Sequence, residues 1–356
     1  MSAHRSIPST PRATAPGTPP VTPEGRPTRW AAARNTVAAL ALLFVAMTFA
    51  AFMGNRWWVF DLFTSFRSQL VCILTVLAIA LAAFRRWRIL VITVFALMLN
   101  VGQVAPLFVA TAPDPITGSP TLSIAHLNLQ SRKGSTSAIV DWLAAKPADV
   151  VVIFDTPRSL ADAVSGGLYG YRMIYPRVTK SGTDKNGQTT VAYEPRSAEV
   201  VVVTNRDDVT ADKPTDADLP GSVVQLHASI GQQTVSLLGL HTRSPTSPNR
   251  YIQRNRQLDA LTAWMRSASE PAIAFGDFNV TYFSPTLRRV LDQSGSHSSQ
   301  IGFGLQPSWP SIAEKAGIAI DQSIYKGSIT PIDRRLGPSF GSQHHSLIVT
   351  YAEARS

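Results

Sequence analysis

Three stretches without a single Asp, Glu, Lys or Arg (residues 36–53, 69–84 and 89–110) set the first limit on how this chain can fold. A bilayer core is crossed by about 20 apolar residues in a helix. Each stretch approaches that length, the middle one with Arg67 and Ser68 snorkelling at its edge. Trp57, Trp58 and Trp87 stand at the stretch ends, where amphipathic rings favour a membrane interface. A cleaved signal peptide is a poor account, because the first core is long, the preceding tail is extended and two more spans follow.

The basic residues orient these spans. Arg26, Arg29 and Arg34 precede the first, and Arg85, Arg86 and Arg88 fill the turn between the second and third. The intervening loop has Arg56 and Arg67, offset in part by Asp61. Basic loops stay inside, so the N-terminus is expected in the cytoplasm and everything beyond Thr111 outside the cytoplasmic membrane. The same distribution weakens a nucleic-acid reading of the net charge of +10. From Pro120 onward 23 Lys and Arg face 20 Asp and Glu, whereas the preceding segment has 10 against 3. Most of the basicity therefore flanks the spans rather than building a polyanion groove. A mean hydropathy of +0.06 reflects the same apolar first third. Cys72 is the only cysteine, so no intrachain disulfide can form.

Residues 1–27 are rich in Pro, Thr, Ser and Ala and lack hydrophobic periodicity, the composition of a chain that cannot offset its ordering entropy. The expected organisation is a disordered cytoplasmic tail over 1–34, a three-helix transmembrane anchor over 35–110, a Pro- and Gly-containing linker over 111–120, and one domain over 121–356. Within that domain, β-branched content and length predict strands over 122–127, 150–154, 189–193, 199–203, 272–275, 317–320 and 346–351. Strands over 223–230 and 234–240 flank the hairpin signal Gly231-Gln232. Helices are expected over 137–145 and 248–266, the second presenting Tyr251, Leu258, Leu261 and Met265 on one face. Strands in both halves with interspersed helices argue a layered α/β sandwich.

Polar residues stand at the ends of these strands, the usual place for a site on a rigid scaffold. Asn128 follows the first strand and Asp155 the second; His241 closes the strand 234–240. Asp277 and Asn279 follow 272–275 within Gly276-Asp277-Phe278-Asn279, Asp321 follows 317–320, and His344 precedes the last strand. Carboxylates such as Asp155 and Asp277 are hard oxygen ligands suited to Mg²⁺, which keeps several waters and phosphate oxygens. Asn128 and Asn279 can hold a water or phosphate oxygen without adding charge. A histidine oriented by a carboxylate, His344 by Asp321, suits a general base or a stabiliser of phosphate charge.

These motifs resemble, in consistent order over nearly all of residues 122–351, the endonuclease/exonuclease/phosphatase superfamily with its DNase I-like fold. The likeness is to bacterial members with three membrane spans ahead of the domain. Leu127-Asn128-Leu129 is similar to the family's opening strand–Asn motif, and Asp155 falls where a metal-binding Glu is usual. Leu240-His241-Thr242 resembles the first catalytic His strand, and Gly276-Asp277-Phe278-Asn279 the Gly-Asp-x-Asn signature. Pro307-Ser308-Trp309-Pro310, Ile320-Asp321-Gln322 and Ser342-Gln343-His344 resemble the Pro-Thr-Trp, Ile-Asp-His and Ser-Asp-His segments. The resemblance implies a four-layer α/β/β/α sandwich, cleavage of phosphodiesters or phosphomonoesters, and one divalent ion, Mg²⁺ or Mn²⁺. It assigns Asp155, Asn128 and Asp277 to the metal. Asn128, Asn279 and His241 bind substrate, and His344, Asp321, His241, Asp277 and Asn279 serve catalysis. Three departures stand out: Asp155 for Glu, Gln322 for His, and Gln343 for the Asp of Ser-Asp-His, which removes a carboxylate usually near the metal.

Other residues are read as structural. His126 falls mid-strand, opposite in phase to the neighbours of Asn128, and His345 is a neighbour without a role. Arg243, Arg250, Arg254 and Arg256 suit anionic phosphates or a charged helix face toward water equally. Asp207, Asp208, Asp212, Asp216 and Asp218 lack the spacing and Gly of a calcium loop and read as a solvated loop. The leading expectation is a metal-dependent phosphoesterase on the outer membrane face, its substrate a phosphodiester, phosphomonoester or lipid-linked (pyro)phosphate. An exported nuclease is disfavoured by the domain's small net charge. A phospholigand-binding domain that has lost catalysis would carry Gln343 as its mark.

Overall fold

The computed structural model describes residues 29–130, 136–176, 178–183, 189–193, 199–212, 222–269 and 271–355. Residues 1–28, which hold most of the tail expected over 1–34, lie outside this set, as do Asp216 and Asp218.

The apolar stretches form α1 (Arg29–Phe52), α2 (Trp58–Thr64), α3 (Arg67–Ala83), α4 (Trp87–Val104) and α5 (Pro106–Val109). Helix α1 starts at Arg29, before the expected boundary, because Trp30 and three alanines extend the helix up to the apolar run. Helices α1 and the α4–α5 stretch are long and apolar enough to cross a membrane; α2 and α3 reach that length only as one pair bent by 71°. Arg67, buried at the start of α3, donates to Asn100 Oδ1 (3.0 Å), and Asn100 donates to Thr48 Oγ1 (2.9 Å). This chain of bonds ties α1, α3 and α4 where apolar surfaces alone give little specificity.

The remainder is two sheets packed face to face. The first has the order β13 (Ile329–Leu336), β14 (Leu347–Glu353), β1 (Thr121–Asn128), β2 (Val150–Phe154), β6 (Val200–Thr204) and β3 (Arg172–Tyr175). The second runs β11 (His297–Ser298), β12 (Asp321–Lys326), β10 (Ala272–Asp277), β9 (Gln233–His241), β8 (Ser222–Ile230) and β7 (Thr210–Ala211). A separate hairpin joins β4 (Val178–Thr183) and β5 (Thr189–Tyr193). Between the sheets lie alternate residues of each strand, among them Ile124, Val152, Phe154, Leu237, Ile273 and Phe275. The opposite face of the first sheet packs on α6 (Thr136–Ala144) and α7 (Arg158–Val164), and that of the second on α8 (Pro248–Ser267) and α9 (Pro285–Ser294). The result is the expected α/β/β/α sandwich. The Gly231-Gln232 loop joins β8 to β9 with Gly231 at φ +60°, a conformation that favours glycine.

One strand was misplaced. Asp321 opens β12 rather than following a strand over 317–320, where Ile318 makes only an isolated bridge to Trp309. The polar sequence Asp321-Gln322-Ser323 hid a strand that is buried throughout. Strands β3, β4 and β13 also went unread, the last because Pro331, Asp333, Arg334 and Arg335 mask its alternation.

Candidate active site

Strand phase and direction bring the polar residues together. Parallel pairs β1–β2 and β9–β10 end at the same side of the sandwich. Asn128, His241 and Asp277 continue the alternation of Ile124, Leu237 and Phe275, so they project between the sheets at that end. Antiparallel β12 places Asp321 directly opposite Asp277, and antiparallel β14 starts beside the end of β1, which brings in His344. Asp155 would face the helix layer by alternation, but its φ of +47° re-aims it toward His241. Gly276 is required where it stands: a Cβ at its φ of +136° would lie 2.1 Å from the Leu240 carbonyl oxygen.

Asp277 is the hub. Its Oδ2 accepts from Asn128 Nδ2 at 2.9 Å and lies 3.6 Å from both His241 Nε2 and His344 Nε2. Its Oδ1 accepts the Asn279 amide at 2.9 Å, and Asn279 Nδ2 in turn donates to the Thr242 carbonyl. Asp155 Oδ1 is 3.3 Å from His241 Nδ1, and Asp321 Oδ2 is 2.9 Å from His344 Nδ1. All seven residues named from the sequence therefore share one cluster. Six of them, all but Asp321, line a cleft of about 570 Å³ together with Gln343 and the cations Arg243 and Arg250. Gln322 is instead buried and donates to the Ala319 and Val280 carbonyls.

The electrostatics separate the two buried carboxylates. Burial holds the Asp277 carboxyl above the ordinary range, although His344 and His241 pull it down. Burial acts the same way on Asp321, but the charge and hydrogen bond of His344 outweigh it and hold Asp321 low. For His344, burial opposes the charge, yet Asp321 and Asp277 hold the imidazolium up to about 9. His241 is also raised: burial is overcome by its bond to Asp155 and by Asp277. Acid–base sites use environments that push neighbouring groups apart in this way, as structural ion-pair networks also do.

Asp277, Asp321 and His344 offer ligand atoms within 4.8 Å of one another and can hold a metal ion. The set Asp155, Asn128 and Asp277 named from the sequence overlaps this one at Asp277. The donor chemistry of the Asp277, Asp321 and His344 group fits a divalent cation, since the desolvated carboxylates of Asp277 and Asp321 stand opposite one another beside an imidazole.

Some neighbours were not foreseen. His126 shares the inward phase of Asn128, stacks on Phe275 (5.8 Å between centroids) and sets Nε2 3.8 Å from Asp321 Oδ1. Neither atom has a hydrogen-bond partner among the described residues. Burial pushes His126 down to about 4, with Asp321 offsetting only part. Leu62 and Ser65, from the apolar N-terminal region, line the cleft as well. Arg254 faces neither phosphate nor water but is buried against Asp61, the lone acid between the first two apolar stretches. That isolated charge was the one available signal.

A family model described as Endonuclease/Exonuclease/phosphatase family matches residues 125–344, more than half of the chain. Among curated proteins none matches. Similar solved structures include a humanized TDP2 from D. rerio carrying 14 mutations (15% identity, 65% of this chain and 98% of that one, TM-score 0.47). An endonuclease/exonuclease/phosphatase from Beutenbergia cavernae is similar at 14% identity, covering 66% of this chain and 72% of that one (TM-score 0.46). The human Nocturnin catalytic domain with bound sulfate follows at 14%, 68% and 97% (TM-score 0.44).

Proposed function

We propose, since this chain belongs to the endonuclease/exonuclease/phosphatase family, that it is a membrane-anchored phosphoesterase dependent on one divalent cation. Enzymes of this family hydrolyse phosphodiester bonds, and the chain carries their hydrolase fold. The observation that supports the finer reading is the convergence of Asn128, Asp155, His241, Asp277, Asn279 and His344 on one cleft, with Asp321 behind His344.

The cation is assigned to Asp155, Asn128 and Asp277, of which only Asp155 reaches the solvent. Mg²⁺ keeps several waters, and Asp155, with a side chain 27% exposed, leaves room for them, whereas Asp321 is wholly enclosed. An ion held there would polarise the phosphoryl group and offset charge that develops during attack. His344, protonated at neutral pH and steered by Asp321, donates Nε2–H to a phosphoryl oxygen. His241 and Asn279 hold the remaining phosphate oxygens. Asp277 orients the attacking water and accepts its proton, a role suited to a carboxyl raised by burial.

The substrate is assigned as a phosphoester carried on an apolar group, such as a lipid-linked phosphate or pyrophosphate. Trp309, Ile318, Ile320 and Leu62 give the cleft an apolar wall beside Arg243 and Arg250. The arginine bias around the apolar helices supports an extracytoplasmic domain with the N-terminus in the cytoplasm. The test uses the full chain in detergent micelles or vesicles with a panel of phosphodiesters, phosphomonoesters and lipid phosphates. Hydrolysis with Mg²⁺ or Mn²⁺, abolished by chelator and by Asp277→Ala, is expected. Equal rates for wild type and Asp277→Ala refute the assignment, and strongly salt-sensitive nicking of plasmid DNA favours a nuclease instead.

A further inference from the structure

The short helix α2 carries a carboxylate that faces neither lipid nor water. Asp61 and Arg254 have side chains each 2% exposed and meet at 2.7 Å. Asp61 Oδ1 also accepts from Ser284 Oγ at 2.6 Å, and Ser284 caps α9 by accepting the Thr286 amide. Arg254, from α8, divides its guanidinium three ways: Nη2 to Asp61, Nη1 to the Asn279 carbonyl at 3.0 Å, and Nε to Asn255 Oδ1 at 2.8 Å. Asp61 therefore grips the segment 277–284 twice, through Arg254 at Asn279 and directly at Ser284. That segment bears Asp277 and Asn279.

Three further hydrogen bonds join the apolar helices to the sandwich. Gln69 Nε2 on α3 donates to the carbonyls of Ala316 (3.0 Å) and Gly317 (2.8 Å), just before Ile318 and Ile320 of the cleft wall. The Gly304 amide donates to the Leu107 carbonyl at 2.8 Å. Leu62 and Ser65 complete the wall. An enclosed ion pair seldom stabilises a fold more than apolar residues of like volume, and its attested use is to fix one arrangement. A charge kept within an apolar helical region is likewise a functional signal.

We propose that Asp61 and Arg254 are positioning residues of the active site, and that the membrane anchor is a working part of the catalytic cleft rather than a tether. Asp61 sets Arg254, and Arg254 sets the Asn279 carbonyl and with it the loop on which Asp277 and Asn279 present their side chains. This rests on the assignment of Asp277 and Asn279 to the reaction.

The experiment uses the full chain in vesicles, with turnover of the best substrate from the panel and hydrogen exchange over 277–284 as separate readouts. Asp61→Ala alone leaves Arg254 enclosed without its partner and can unfold the chain. The decisive variant is thus the double exchange Asp61→Leu with Arg254→Met, which removes both charges at similar volume. Its kcat is expected to fall about 10- to 100-fold with KM changed less than about threefold, the pattern of lost transition-state alignment. Exchange over 277–284 should rise about tenfold or more while β10 stays protected. Arg254→Lys, which meets Asp61 but cannot also hold Asn279, should fall between, and Arg256→Ala, exposed on the same helix, should match wild type. A double variant with wild-type kcat and unchanged exchange overturns the proposal. A wild-type chain that hydrolyses nothing refutes the phosphoesterase reading instead, and the exchange measurement still decides the role of the pair.

Discussion

Asp321→Asn separates what this carboxylate does for the charge of His344 from what it does for the ring's orientation. Asp321 is fully enclosed, and Asn matches its shape, so the fold should survive the exchange. Among the influences that favour the His344 imidazolium, Asp321 ranks first; burial opposes them all. With Asp321 neutral, only Asp277 and the more distant Asp155 remain to counter burial, and the imidazolium should return from about 9 toward its ordinary value of about 6.5. At pH 8 the protonated fraction then drops from about nine-tenths to about three-hundredths, a loss of about thirtyfold. Looser positioning of the ring costs rate at every pH as well, about 10- to 100-fold. The sign follows from the raised value: activity that needs the imidazolium is full below it and is lost as pH rises through it. Steady-state hydrolysis by wild type and variant from pH 5.5 to 9.5 should therefore show the alkaline limb moving from about 9 to about 6.5. The variant's deficit should be about 300-fold or more at pH 8 and about 10- to 100-fold at pH 6. An equal deficit at both pH values, or an unmoved limb, refutes a role for Asp321 in holding the proton on His344.

Asp155→Ala should raise the Mg²⁺ concentration for half-maximal activity about tenfold or more, read by metal titration of turnover. An unchanged requirement, with Zn²⁺ or Mn²⁺ preferred, would move the cation to Asp277, Asp321 and His344, since imidazole ligands suit those metals better. Gln343→Asp adds a carboxylate at the exposed edge of the cleft and should lower the Mg²⁺ requirement several-fold while wild type is already active. Activity seen only in that variant would favour a phospholigand-binding domain. Gly276→Ala should cost about 2–3 kcal/mol and lower the thermal midpoint by about 5–10 °C, because its Cβ meets the Leu240 carbonyl. An unchanged midpoint would show that β9 and β10 can part without cost.

The sandwich was legible wherever strand chemistry was conventional. The apolar β-branched runs of β2, β6 and β8–β9 fell within a residue or two of their observed limits, and the Gly231-Gln232 turn fixed the hairpin. Reading failed where a buried strand is polar. Asp321, Gln322 and Ser323 of β12 are all enclosed, and their backbone ladder to β10 carries no mark in local composition. His126 was set aside for a related reason. Residues two apart on a strand share a face, so His126 projects between the sheets with Asn128 and ends beneath Asp321. Applying that period to β1 would have placed it near the site from sequence alone.

The contact between the N-terminal apolar helices and the sandwich was illegible for a deeper reason. Asp61 and Arg254 are 193 positions apart, and each taken alone has an ordinary explanation: a charge between two apolar stretches, and one basic residue among several on a helix. Only their meeting gives either a purpose. The linker that separates them in sequence is itself fastened, with the Ile116 amide donating to the Glu353 carbonyl (2.8 Å) and Thr330 Oγ1 to the Pro113 carbonyl (2.8 Å). A linker held along β13 and β14 fixes where the domain stands over α1–α4, and that placement is what lets one carboxylate of α2 reach the loop of Asp277. The cleft is thus assembled by two parts of the chain that sequence reasoning treats as independent. Cutting the domain free at residue 111 would remove Leu62, Ser65, Asp61 and Gln69 together, so a weakly active soluble fragment would report a dismantled wall rather than a poor catalyst.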